Sequence, residues 1–132
     1  MSSLSDWRVP VSVQPRPDDY DYDLDAALNS IVAIRAQIPH DAFTAGVLGT
    51  ERAGHGVLVR ANGLVLTIGY LITEAETVWL QTNTGQIVAG HALAYDHETG
   101  FGLVQALGSL EVPPLPLGHS SDASVGEYVV VG

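Results

Sequence analysis

The groups in this chain that could do chemistry are hydroxyls, imidazoles and carboxylates, because the sequence contains neither lysine nor cysteine. Their absence excludes a Ser–Lys dyad, a Schiff-base lysine and a cysteine nucleophile. A serine nucleophile would need a base, and His55, between Gly54 and Gly56, is the histidine that could serve. No serine has a Gly-x-Ser-x-Gly or Gly-x-Ser-Gly-Gly setting; the run Gly118–Asp122 matches neither pattern. The spacing therefore favours structural roles for the histidines over an independent Ser–His site.

Metal-binding residue types occur in two places, and neither spacing matches a known metal motif. An EF-hand loop needs glycine at its sixth position and glutamate at its twelfth, whereas counting from Asp19 gives Leu24 and Ser30. The second group fits no zinc pattern such as His-Glu-x-x-His and is typical of a surface loop. We therefore predict no metal site and no cofactor. The residues concerned are Asp19, Asp21, Asp23 and Asp25 in the first group, and His91, Asp96 and His97 in the second.

The elements that would position these residues change in type near residue 30. Residues 1–29 form a proline-containing arm and then an acidic stretch compatible with a short helix. Residues 30–132 alternate short apolar runs with turn residues, which predicts a domain of β-strands. Asn62-Gly63 and Thr84-Gly85 are the best hairpin turns, and one helical turn is expected at Leu71–Glu76. The predicted strands are Ile31–Gln37, Gly54–Val59, Leu64–Ile68, Thr77–Gln81, Ile87–Tyr95, Phe101–Gln105 and Tyr128–Val131.

The segment from Gly54 to Ile72 resembles the first catalytic segment of trypsin-like serine proteases of the HtrA/Deg branch. There a glycine-rich strand, an Asn-Gly or Asp-Gly turn and a second strand lead into Thr-Asn-x-His-Val, whose histidine is the general base. This chain reads Thr67-Ile68-Gly69-Tyr70-Leu71 instead, so Tyr70 stands where the resemblance implies the histidine. A phenol holds its proton too tightly at neutral pH to be an efficient base.

The resemblance continues downstream and covers about Asn29 to Gly132. The family's Asp-x-x-Thr-Asp segment matches Asp96–Gly100, which puts Gly100 at the position of the catalytic aspartate. The run Pro114–Gly132 matches the stretch that closes the first barrel, and the second barrel with its serine nucleophile does not follow. The resemblance implies an all-β fold, a single small antiparallel β-barrel of the trypsin-like type with an N-terminal arm and short helix, and no catalytic residues.

Tyr70 has two interpretations at this stage. Packed inside the barrel, the ring would add buried apolar area and its hydroxyl would need a partner, and this interpretation is favoured. Alternatively, the ring plugs a former substrate cleft and leaves a groove that binds peptides without cutting them.

The net charge of the chain limits which classes of partner it is expected to bind. Fifteen acidic side chains against five arginines give a net charge of −10, which disfavours nucleic acids and anionic membranes. We expect a protein or peptide partner, and the candidates include a second copy of the chain in a homodimer and a second β-barrel domain. The first hypothesis is a non-enzymatic pseudoprotease module, and the alternative is the N-terminal part of a two-barrel HtrA-related endopeptidase; a protease completed by a separate chain is a weaker third. The N-terminus has no signal-peptide pattern, which predicts a cytoplasmic protein, or a periplasmic one, as many relatives are, if a leader was removed.

Overall fold

The computed structural model describes residues 8–132, and its main element is a closed barrel of six antiparallel strands. Around the barrel the strands follow the order β1-β2-β3-β6-β5-β4, and β4 pairs with β1 to complete the circle. The predicted all-β class and small antiparallel barrel are confirmed. The strands are β1 (Ile31–Gln37), β2 (Glu51–Arg60), β3 (Leu64–Ile68), β4 (Thr77–Gln81), β5 (Ile87–Tyr95) and β6 (Phe101–Ala106).

The core fills the inside of this barrel because apolar residues alternate along the strands with a period of two. In β1 the side chains of Val32, Ile34 and Ala36 are buried, whereas Arg35 and Gln37 face outward. The segments that follow β3 and β6 also contribute buried apolar side chains to this core. The remaining core residues are Ile38, Leu58, Val65, Leu71, Ile72, Val78, Leu80, Val104, Ala106, Leu110 and Val112.

Helices are short and lie outside the barrel. Helix α1 (Leu24–Asn29) begins where the carboxylate of Asp23 accepts a hydrogen bond from Ala26 N at 3.0 Å. Helix α2 (Ala45–Leu48) lies in the loop between β1 and β2. Among residues 8–132, no helix combines the length and apolar character that a membrane crossing requires. Turns of 3₁₀ helix cover Val11–Val13, Pro17–Asp19, Gly69–Leu71 and Ser120–Asp122.

Three local predictions need correction. Tyr128–Val131 forms no strand in the described structure, because the closed barrel leaves no free strand edge to pair with it. Strand β2 begins at Glu51 rather than at Gly54. The helical turn expected at Leu71–Glu76 lies earlier, over Gly69–Leu71, since Leu71 and Ile72 turn into the core. Four strands, β1, β3, β4 and β5, have the predicted bounds.

Candidate functional site

Tyr70 lies on the 3₁₀ turn that follows β3. Leu71 and Ile72, the next two residues, are buried in the core and fix the turn against the barrel. The Tyr70 side chain is 45% exposed, so the favoured prediction that its ring packs inside the barrel is wrong. The two aliphatic side chains take the inward positions of this turn and leave the phenol at the surface.

Gly100 closes the turn between β5 and β6 with a φ of 79°. Asp96 organises this turn, since its carboxylate accepts hydrogen bonds from Thr99 Oγ1 at 2.8 Å and Glu98 N at 3.1 Å. These bonds, first that from Thr99 and then that from Glu98, lower the pKa of Asp96 from its ordinary value. A left-handed backbone suits glycine because glycine has no Cβ. The geometry of the turn is thus itself a reason for glycine at this position.

The two turns meet at a backbone hydrogen bond. Gly69 N donates to Gly100 O at 2.7 Å, so the turn that carries Tyr70 is bonded directly to the residue predicted to match the family's aspartate. The arrangement brings together a half-exposed phenol and a residue without a side chain. Neither can relay a proton from a serine in the manner of a histidine held by a carboxylate. That Tyr70 and Gly100 occupy triad positions stays a prediction.

An aromatic pair covers the backbone next to Tyr70. The ring of Tyr95 lies directly over Gly69: a Cβ atom placed on this glycine would be 2.0 Å from Tyr95 Cε2. The ring also lies against His97 in a tilted arrangement, with 4.3 Å between the centroids and 50° between the ring planes. Tyr95 therefore covers the backbone of the turn, and glycine at position 69 is what permits this close approach. The sequence indicated neither contact.

A cleft of about 400 Å³ opens beside these turns. His55 lines it from the middle of β2, where its backbone carbonyl accepts a hydrogen bond from Thr67 Oγ1 at 2.8 Å. The other hydroxyl in the wall belongs to Thr99, and none of the described lining residues is a serine. His55 is thus a cleft residue without a serine nucleophile in that wall. The apolar lining comprises Ile31, Val57, Leu66, Ile68 and Phe101.

The remaining predicted site residues do not converge. His91 lies within β5, away from the Asp96 turn, and no three His, Cys, Asp or Glu residues among residues 8–132 are grouped as metal ligands would be. In the acidic run, Asp23 caps α1 and Asp19 ends a 3₁₀ turn. The predicted absence of a metal and of a cofactor stays a prediction.

Sequence reasoning missed a buried arginine behind the Tyr70 turn. Arg52 is 5% exposed, and its Nη1 donates to the carbonyl oxygens of Tyr70 at 2.7 Å and Thr73 at 3.1 Å. Its Nη2 donates to Thr44 Oγ1 at 2.8 Å, and both Nε and Nη2 lie 3.3 Å from Gly49 O. The guanidinium therefore joins the turn that carries Tyr70 to the loop between β1 and β2. Arg52 precedes the predicted start of this strand at Gly54, so no local pattern in the sequence indicates its burial.

Glu74, on the turn after β3, also holds the loop between β1 and β2. Its carboxylate accepts hydrogen bonds from Thr44 N at 2.8 Å and Phe43 N at 2.9 Å. The bond from Thr44 makes the largest contribution to lowering the pKa of Glu74 from its ordinary value. Glu74 also has a φ of 62°, the one left-handed backbone among the described non-glycine residues. These contacts fix the loop before β2 to the turn after β3.

Comparison with known protein families finds one match that covers residues 54–132, to the family described as the trypsin-like peptidase domain. Serine protease HTRA4 of Mus musculus is 30% identical over 78 residues, which are 59% of this chain and 16% of that protein. Serine protease HTRA1B of Danio rerio is 24% identical over 121 residues, or 89% of this chain and 25% of that protein. The chain thus spans a quarter or less of the length of these curated relatives.

Solved structures give the same fold. The HtrA-type protease AlgW with tripeptide superposes with a TM-score of 0.61 at 16% identity, over 74% of this chain and 29% of that one. The serine endoprotease from Yersinia pestis superposes with a TM-score of 0.56 at 18% identity, over 72% of this chain and 31% of that one. At these identities the likeness concerns the fold, and it confirms the predicted trypsin-like type of barrel.

Proposed function

The chain belongs to the trypsin-like peptidase family, in the region of the N-terminal barrel of its HtrA branch, and we propose that it is a catalytically inactive member of that family. The barrel then serves as an interaction or structural module for a protein or peptide partner. The relatives named above are serine proteases, so inactivity is a departure from an enzymatic family. It requires specific support from the residues of the site.

The observation that carries the proposal is the pair of turns joined by the hydrogen bond from Gly69 N to Gly100 O. The resemblance puts the general base and its orienting carboxylate at these turns, and the chain has Tyr70 and Gly100 there. One unexpected residue could reflect a shift in the match, but two at neighbouring positions in space support a real loss.

The test is labelling with a fluorophosphonate probe together with hydrolysis of a fluorogenic peptide, on the chain as given and on Tyr70→His and Tyr70→His/Gly100→Asp. We expect no labelling and no hydrolysis in all three, because the variants still lack a serine in a nucleophile turn. An active HtrA protease provides the positive control. Labelling of the unchanged chain that a single Ser120→Ala or Ser121→Ala substitution abolishes would refute inactivity.

A binding role is supported by the apolar surface beside the cleft. Ile68 and Phe101, paired across β3 and β6, are 50% and 54% exposed, and both also line the cleft. Contiguous apolar surface of this kind usually marks an interface. A homodimer or a second barrel could cover it, and sedimentation at high protein concentration separates the two: a strictly monomeric mass contradicts the homodimer.

The second candidate function is that of an N-terminal barrel within a longer HtrA-related endopeptidase. It is favoured by Tyr128–Val131, an apolar and β-branched run whose Tyr128 and Val131 are 97% and 88% exposed and which pairs with no described strand. Such a run could join the sheet of another domain. The intact mass of the natural protein decides: a value near 13.9 kDa supports the single-barrel module, and a mass about twofold larger or more supports the two-barrel protein.

A further inference from the structure

The loop between β1 and β2 carries an apolar protrusion that the site described above does not use. Phe43 is 99% exposed and Val47 is 88% exposed, and Leu48 beside them is 41% exposed. Phe43 lies two residues before α2, and Val47 and Leu48 lie within it, so three exposed apolar side chains fall within six residues of one loop. Single exposed apolar residues are ordinary, whereas a local group that includes a fully exposed aromatic side chain is less so. We call Phe43, Val47 and Leu48 the Phe43 tip.

The Phe43 tip is held in a defined conformation although it contacts solvent. Glu74 accepts hydrogen bonds from the backbone N–H groups of Phe43 and Thr44, at 2.9 and 2.8 Å. Behind it, the buried Arg52 donates to Thr44 Oγ1 and to Gly49 O. A loop fixed in this way loses little conformational entropy on binding, which is the advantage of a preorganised docking element.

The backbone strain at Glu74 fits the same interpretation. A non-glycine residue in the left-handed region costs on the order of 1 kcal/mol and persists only where its surroundings enforce it. Here the φ of 62° points the Glu74 carboxylate at the two N–H groups of the loop. Strain retained in order to hold an exposed phenylalanine in place favours a role for that phenylalanine.

Charge around the Phe43 tip restricts what can cover it. Asp41 lies in the same loop, and the Glu74 carboxylate accepts a hydrogen bond from Phe43 N. Glu51 begins β2 directly after the loop, and Glu76 lies beside the end of β1, where its N–H donates to Gln37 O. The arginine of this region, Arg52, is buried and directed at carbonyl oxygens. A second copy of this chain brings the same net charge of −10, so self-association here is opposed by repulsion.

We propose that the Phe43 tip docks a protein partner that offers an apolar pocket rimmed by lysine or arginine side chains. The apolar pocket takes the exposed ring, and the basic rim matches the surrounding carboxylates. The loop lies outside residues 54–132, which match the peptidase family. The proposal does not depend on whether the barrel is catalytic, because none of the tip residues lies at a position matched to the triad.

Docking at this tip is connected to the Tyr70 turn by one side chain. Arg52 contacts Thr44 with Nη2 and the carbonyl oxygens of Tyr70 and Thr73 with Nη1. A partner that shifts the loop must shift this guanidinium or break its bonds. The backbone of residues 70–73 consequently reports on occupancy of the tip.

The test uses the whole chain, labelled with ¹⁵N, and two synthetic helical peptides that share a face of leucines. One peptide has lysines at the positions that flank the leucine face, and the other has glutamates at the same positions. We expect the lysine peptide to shift the amide signals of residues 43–48 and 70–73, and the glutamate peptide to shift none. Phe43→Ala should weaken the binding of the lysine peptide about tenfold or more, as loss of an aromatic anchor does, while leaving the circular dichroism spectrum unchanged.

The matched control is Val11→Ala, which removes an apolar side chain that is 84% exposed on the N-terminal arm. It should leave the affinity unchanged. The proposal is overturned if Phe43→Ala and Val11→Ala bind the lysine peptide equally, or if the shifted amides lie only along the acidic run Asp18–Asp25. The proposal is also overturned if the glutamate peptide binds as tightly as the lysine peptide. It is overturned as well if neither peptide binds at about 1 mM, which corresponds to a binding free energy of only about 4 kcal/mol.

Discussion

Gly69→Ala tests the arrangement of the turn that carries Tyr70. The new Cβ would lie 2.0 Å from Cε2 and 2.1 Å from Cδ2 of Tyr95, whereas carbon atoms in contact are about 3.5–4.0 Å apart, so the ring must move by roughly 1.5 Å. Tyr95 is 38% exposed and can swing toward solvent, at the loss of its contact with Gly69 and of its tilted contact with the His97 ring. We expect a destabilisation of about 1–2 kcal/mol. For a chain of this size the Tm should fall by roughly 3–10 °C.

Urea unfolding followed by circular dichroism measures this loss, with Gly46→Ala as the matched control. No atom lies within 4 Å of a Cβ at Gly46 in α2, so this variant should be unchanged or more stable by up to about 1 kcal/mol. In a Tyr95→Ala background, Gly69→Ala should cost nothing, which gives a coupling energy of about 1–2 kcal/mol. If Gly69→Ala costs the same with and without the Tyr95 ring, the ring does not lie over Gly69.

Three further predictions concern the buried arginine and the two carboxylates with lowered pKa. Arg52→Met should destabilise the chain by about 2–4 kcal/mol because buried carbonyl groups lose their donor, whereas Arg35→Met at an exposed site should change it by less than about 0.5 kcal/mol in the same urea assay. The pKa of Glu74 is lowered by the hydrogen bond from Thr44. The Glu74 carboxylate therefore stabilises the fold at pH values above its pKa in the unfolded chain, and this stabilisation is lost as the pH falls through its pKa in the folded chain. The Thr44 amide signal should shift in that acid range in NMR, and a Thr44 signal that is flat with pH would contradict it. Asp96 follows the same sign, and Asp96→Asn should remove the acid-side loss of stability that this carboxylate contributes.

The barrel could be predicted from the sequence because its strands carry a local signal. Alternation of apolar and polar residues indicates β1 without knowledge of its neighbours, and Asn62-Gly63 indicates the turn into β3, where Gly63 has a φ of 92°. Tyr128–Val131 carries the same signal, yet no strand edge in the closed barrel is free for it. Strand propensity alone does not indicate whether a partner edge exists.

Tertiary contacts account for what the sequence could not indicate at the site. Arg52 bonds to residues 18 and 21 positions away, and Glu74 bonds to backbone groups 30 and 31 positions away, so no local pattern marks either residue. The position of the Tyr70 ring was wrongly predicted for a related reason. Which of three consecutive side chains turns inward depends on the bend of the chain after β3, and that bend places Leu71 and Ile72 inside.

The backbone at Gly100 bears on how a chain of this family could lose a catalytic relay. An aspartate at that position would have to adopt the φ of 79° or reshape a turn in which the Asp96 carboxylate bonds to Thr99 and Glu98. Non-glycine residues pay on the order of 1 kcal/mol for the left-handed conformation. An aspartate at position 100 would therefore require a change in the path of the backbone as well as in the side chain. Arg52 bonds to the carbonyl oxygens of Tyr70 and Thr73, and Glu74 bonds to the loop between β1 and β2, so the adjoining Tyr70 turn is held by contacts that a change at position 100 does not remove.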